Sequence, residues 1–276
     1  CQKSDWKRHK LICKKAKTTT KKTTTAKKTD AKLTDKVLND IGEAIKRQQW
    51  SKVVKLYKQH DLDVNAKFMK GGLSLLHLAC VNRSIDGVKL LIQNGADIHA
   101  VNDYSVMSIH MAALVGCADI LKVLIVNGAD VDARMIGHNR TPLHCAAERG
   151  HHAIAKILLE NGADIEARSS VGSTALLFAV AHHQVDVVNL LLKNGANVNT
   201  VSNDYVTALY CAARNGDIEI ADSLIENGAD VNLARSKGIT SLHLVAQYGD
   251  VEFVKLLMQN GVNLNAEGPD DMTALD

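Results

Sequence analysis

TPLHCAAERGHHAIAKILLENGADIEA, residues 141–167, reads as one structural unit. Thr141 stands where a helix cap belongs, a short apolar helix follows, and Gly150 breaks it. A second helix closes at Asn161-Gly162 and an extended link completes the unit. Its signatures return on both sides. NGA recurs at Asn94, Asn127, Asn161, Asn194 and Asn227, and NGV at Asn260, with spacings of 33, 34, 33, 33 and 33. Ahead of these lie SLLH from Ser74, MSIH from Met107, TPLH from Thr141, TALL from Thr174, TALY from Thr207 and TSLH from Thr240. Two signatures that keep phase through six units place a repeat architecture over residues 67–266. In VVNLLLKNG (Val187–Gly195) the apolar residues cover too much of the helix for an isolated amphipathic element, so each unit must bury that surface against its neighbours. The glycines that close the second helices, such as Gly162 and Gly195, suit a left-handed position, where a side chain would cost about 1 kcal/mol. Thr, or Ser74 in the first unit, is expected to cap each first helix; Met107 cannot, so the second unit should start less firmly.

Composition agrees. Apolar residues make up 46% of the 276 but aromatics only 4%, with two prolines, which suits small stacked units better than one large core. No apolar run reaches the roughly 18–20 residues of a bilayer-spanning helix, so no membrane association is expected. Residues 1–32 hold twelve Lys and Arg against Asp5 and Asp30, a local balance of +10, so the overall +3 leaves −7 for the rest. The six cysteines are scattered, four of them inside repeats, which points to reduced thiols and a cytoplasmic or nuclear setting.

The TPLH start, the GAD link and the 33-residue spacing resemble the ankyrin repeat family from about Lys67 onward. The resemblance implies an all-α repeat, an ankyrin-repeat solenoid of helix-turn-helix units with hairpin loops. Residues 34–66 continue the period in degraded form and read as an N-terminal capping repeat. The outward face of that cap would carry Lys46, Arg47, Gln48, Lys52, Lys55 and Lys58. Residues 67–266 form six repeats, and 267–276 open a seventh that the chain does not complete. Such stacks contact protein partners through hairpin tips and the concave face. The tips differ from unit to unit, and Tyr104, Arg134, His138, Arg140, Tyr205 and Lys237 are the candidate partner-binding residues. Tyr and Arg combine area, rigidity and hydrogen bonding, and Tyr205 stands where other units carry Gly72, Gly172 and Gly238. An asparaginyl hydroxylase modifies some ankyrin links, and LIENGADVN (Leu224–Asn232) resembles its preferred setting, so Asn232 is a candidate for modification.

A second resemblance covers residues 1–13. In CQKSDWKRHKLIC, His9 and Cys13 are four apart and share a helical face, a spacing that suits zinc. Cys1, Gln2, Trp6, His9 and Cys13 are similar to the C-terminal end of a MYND zinc finger. The resemblance implies two zinc ions, with Cys1 serving the first and His9 and Cys13 the second. It also implies a short proline-containing peptide as ligand. The finger's other five cysteines are not in this sequence, so both sites are incomplete here. Residues 14–33, rich in Lys and Thr, read as a flexible linker that buries nothing. Nucleic-acid binding there is not favoured, because no aromatics are interleaved.

A catalytic constellation is not found. His77, His110, His144 and His243 recur at one repeat position, where the ring would bridge a helix start to the neighbouring turn. Cys145 beside His144 points elsewhere on its helix and reads as a packing residue, as does Cys211. The pairs His151-His152 and His182-His183 are expected as solvent-exposed turn residues. The reading is therefore a monomeric, non-catalytic adaptor that requires no cofactor in its repeats. The alternative is the targeting region of a larger enzyme, such as a MYND-containing methyltransferase.

Overall fold

The computed structural model describes residues 28–68 and 71–276. The described residues are all-helical, with no strand beyond one isolated bridge between Phe68 and Leu73. They divide into two compact units, residues 1–108 and 109–276.

In the first unit, α1 (Lys28–Lys46) and α2 (Trp50–Gln59) pack together, and α2 packs on α4 (Ile85–Gln93) of the pair α3 (Leu75–Val81) and α4. Val37, Ile41, Ala44 and Ile45 recur at helical spacing on α1 and are buried. That helix begins at Lys28, inside the stretch read as linker, because Ala, Lys and Leu upstream of Val37 are good helix formers. Trp50 is 4% exposed and lies so close to α4 that a Cβ on Gly87 would come within 2.6 Å of the indole. Lys46, Arg47, Gln48, Lys52, Lys55 and Lys58 are all exposed.

The second unit holds five helix pairs: α5 (Ser108–Val115) and α6 (Ala118–Val126), α7 (Pro142–Arg149) and α8 (His152–Glu160), α9 (Ala175–Ala181) and α10 (Val185–Lys193), α11 (Ala208–Asn215) and α12 (Ile218–Glu226), α13 (Ser241–Tyr248) and α14 (Val251–Gln259). First helices stack in the order α7, α9, α11, α13, and second helices in the order α6, α8, α10, α12, α14. Leu124, Leu158, Leu191, Leu224 and Leu257 recur along the second helices and are each fully buried. The surplus apolar surface of each helix is covered in this way by the next pair.

Capping follows the expectation in four units and fails in a fifth. Ser74, Thr141 and Thr240 form reciprocal capping boxes with His77, His144 and His243. Thr207 accepts from the Tyr210 backbone N–H at 3.0 Å. Thr174 caps nothing: Leu177 replaces the histidine, and the Thr174 hydroxyl is buried without a partner among the described residues. The expected seventh first helix is a short turn, in which the Thr273 backbone and hydroxyl both donate to Asp276 Oδ2, at 2.8 and 2.9 Å.

Candidate functional site

The recurring histidines are structural ties. The backbone N–H of Thr141 donates to His144 Nδ1 at 3.1 Å, so the ring proton sits on Nε2 and is donated to the Ser173 carbonyl at 3.0 Å. His77 does the same between Ser74 and the Val106 carbonyl, and His243 between Thr240 and the Met272 carbonyl. His110 reaches the Ala133 carbonyl at 2.9 Å. Burial pushes His110 and His144 down to about 4 and also lowers His77, so these rings are neutral at pH 7. Burial likewise pushes the Cys145 thiol up to about 12 and raises that of Cys211, which suits packing and disfavours a thiolate nucleophile.

The tips are turns with a backbone bond across the base of each. Asn102 N donates to Val106 O, Ser169 N to Ser173 O, Ser202 N to Val206 O and Arg235 N to Ile239 O. The extra residue in the third tip lengthens this step, so that Met135 N donates to Arg140 O. Adjacent tips are tied by Ser170 N to His138 O at 2.9 Å and Asn203 N to Val171 O at 3.0 Å. An equivalent position in every tip has positive φ, at Gly72, Ser105, Asn139, Gly172, Tyr205, Gly238 and Asp271, and Gly71, Gly137, Lys237 and Asp270 in the same tips have it too. At Gly172 this is obligatory, because a Cβ would also overlap Asn203. Tyr205 adopts φ +58° with a bulky side chain and is 59% exposed.

The other tip candidates differ in their availability. Tyr104 is 58% exposed, and His138 and Lys237 are exposed. Arg134 is exposed but its Nη1 donates to the Arg168 carbonyl at 3.1 Å, and Arg168 repeats the bond one unit on, to the Val201 carbonyl. Arg140 departs most from its expected place on an open tip. It is half-buried, pairs with Glu148, and lies 4.6 Å over the Phe178 ring. Phe178 in turn meets His144 edge-on and stacks on His182, which approaches Glu148 to 4.0 Å. The Arg140 guanidinium holds the Glu148 carboxyl below its usual range against the opposing effect of burial.

Two of the turn-histidine pairs expected in solvent make contacts between units. His151 Nε2 lies 3.2 Å from the Leu114 carbonyl, and His183 Nδ1 lies 3.0 Å from Asp217. Only His152 and His183 of these four are exposed. Ile136 and Val171, 75% and 55% exposed on consecutive tips, were not singled out by sequence, although both occupy tip strings already recognised as variable.

Asn232 bridges two links: its Nδ2 donates to the Gly261 carbonyl at 3.3 Å and its Oδ1 accepts from Asn263 N at 2.6 Å. Asn65 and Asn199 make the same bridge. The zinc candidates Cys1, His9 and Cys13 lie outside the described residues, among which no cluster of three or more His, Cys, Asp or Glu could hold a metal. No described helix is long and apolar enough to cross a membrane.

A family model described as ankyrin repeats (3 copies) matches residues 109–202 and 209–276, and another described as ankyrin repeats (many copies) matches residues 76–125. No curated protein matches the chain.

Proposed function

Since the chain belongs to the ankyrin-repeat family, whose repeats are generally protein–protein interaction modules and typically non-enzymatic, we propose that it is a non-catalytic adaptor gripping a protein partner through its tips. Tyr205 carries this reading. A bulky residue in the left-handed region costs about 1–2 kcal/mol relative to glycine, and Gly172 and Gly238 fill the same position without that cost. The strain serves no hydrogen bond or ring contact of the Tyr205 side chain among the described residues, and the residue is 59% exposed. With Ile136 and Val171 it lines apolar area along three consecutive tips that none of the described residues buries.

The test is a crosslinking capture of partners read by mass spectrometry, wild type against an I136S/V171S/Y205G variant. Partners that drop at least about tenfold in the variant support tip binding. Partners captured equally by both contradict it.

In this reading Cys1, His9 and Cys13 are zinc ligands of a MYND-type finger, a thiolate and imidazole donor set that suits the ion. The finger would bring a proline-containing peptide close to whatever the repeats hold, and the adaptor would work in the cytoplasm or nucleus. With the finger's five further cysteines supplied ahead of Cys1, the protein should retain two zinc ions per chain against a colorimetric chelator and lose them in the C1A/H9A/C13A variant; no bound zinc in that longer protein would remove the finger from the account.

A further inference from the structure

One register position recurs through the tips of the second unit. His138, Val171, Asp204, Lys237 and Asp270 follow one another at steps of 33 residues, and all five are exposed. The tips meet at this register. The His138 carbonyl accepts from Ser170 N–H at 2.9 Å, and the Val171 carbonyl accepts from Asn203 N–H at 3.0 Å. Each residue of the row thus gives its carbonyl to the residue just before the next one. The stacking of α11 on α13 carries the row from the tip of Asp204 to that of Lys237. A Cβ on Gly238 would come 2.3 Å from the Glu267 carbonyl, so the tips of Lys237 and Asp270 touch as well.

The charges of the row are uncommitted, unlike those around it. Arg134 and Arg168 donate to carbonyls of the next tip, Arg140 holds Glu148, and Arg235 lies 5.5 Å over the Tyr210 ring. The side chains of Asp204 and Lys237 make no hydrogen bond or ion pair among the described residues. Stacked helices lie about 8–10 Å apart, close to the Debye length at physiological salt, so these opposite charges on adjacent tips do little for each other. Each keeps its attraction for a group from outside. Val171, 55% exposed, precedes them with an apolar side chain.

The step of the row also selects a backbone. A polyproline II segment repeats its facing side chain every three residues and advances about 9.3 Å in doing so, which matches one tip. A β-strand turns its third residue to the opposite face.

We propose that the row Val171, Asp204 and Lys237 binds a partner segment in polyproline II conformation, with an apolar, a basic and an acidic residue at successive three-residue steps. The apolar side chain would lie on Val171, the basic one on Asp204 and the acidic one on Lys237. This rests on the tip-binding reading and names the class of its partner.

Two fluorescein-labelled peptides of equal composition test it by anisotropy. Both carry Pro-Ala between the facing positions; one presents Leu, Lys, Glu at those positions and the other Leu, Glu, Lys. The wild type should bind the first at least about threefold more tightly, the scale of two exposed ion pairs. D204K/K237D exchanges the two charges without altering the protein's net charge, and should reverse the preference. Both side chains are free of internal bonds and Asp tolerates the left-handed φ of +63° at position 237, so the fold survives, as far-UV circular dichroism will show. D186K/K193D makes the same kind of exchange on α10 and should leave the preference as in the wild type. No binding of either peptide, equal binding of both, a preference that D204K/K237D does not reverse, or one that D186K/K193D reverses overturns the proposal. So does tighter binding by a helical peptide with the same three residues at seven-residue steps. The partner capture separates this from the broader reading. Partners lost from I136S/V171S/Y205G, with no preference between the peptides, leave the adaptor standing and remove this segment. A preference that reverses, with capture indifferent to the apolar tips, supports the charged row and defeats the apolar-tip reading.

Discussion

Mild acid should destabilise this protein through two fully buried histidines. His110 and His144 are 0% exposed, and burial sets their folded pKa at about 4 against 6.5 for the ordinary ring. Between those values the unfolded chain binds more protons than the folded one, so stability falls as pH falls through that window and levels off below about 4. From pH 7 to pH 5 each ring removes roughly 1.8 kcal/mol, together nearly 4 kcal/mol, against a typical total of about 5–15. His77, lowered for the same reason, acts in the same direction. Glu148 is held low by Arg140, so the stability it contributes is lost as pH falls from the ordinary carboxylate range toward its lower folded value, mostly below pH 5. Urea unfolding followed by far-UV circular dichroism at several values from pH 7 to pH 5 gives the slope. It should reach roughly 2.4 kcal/mol per pH unit near pH 5.3. H144L, which copies Leu177 of the neighbouring unit, should lose about half of it. A slope near zero in wild type, or one unchanged in H144L, would refute the neutral, carbonyl-bridging role of these rings.

Three further outcomes follow from individual contacts. Y205G relieves about 1–2 kcal/mol of left-handed strain and adds about 0.5–1 kcal/mol of unfolded-chain entropy, so chemical denaturation should show a net gain of about 0.5–1 kcal/mol while partner binding weakens. R140A strips Glu148 of its main counter-charge and uncovers Phe178, and should destabilise by about 2 kcal/mol in the same assay. If Asn232 is hydroxylated, peptide mass spectrometry of protein from its native cells will find one added oxygen on Leu224–Asn232. An unmodified peptide at full coverage would remove the modification. The Asn232 amide bridges to Gly261 and Asn263, so an enzyme that engages that amide has to break both bonds.

The repeat fold was legible because its signals are local. A Thr or Ser before the first helix, a histidine three residues on, and Asn-Gly after the second helix each act within a few residues and recur in phase. What sequence did not reveal depends on partners 29 to 37 residues away, such as Asn139 to the Arg168 carbonyl and His151 to the Leu114 carbonyl. Arg140 belongs to this class. Its place beside a tip suggested exposure, but Phe178, one unit on, replaces the smaller Cys145 and Cys211 of the neighbouring repeats and gives the guanidinium a ring to cover. The signal for the arginine ties was present, since Arg134 and Arg168 end equivalent links. Thr174 shows the converse. A capping residue read alone is insufficient when the histidine that completes the box has become Leu177.

Hydrogen–deuterium exchange of the protein with and without a captured partner tests the adaptor claim most directly. The account expects slowed exchange on the tips around 134–140, 169–173 and 202–206, with the second helices α8, α10 and α12 unchanged. Protection confined to the second helices, with tips and first helices exchanging as in the free protein, would contradict it.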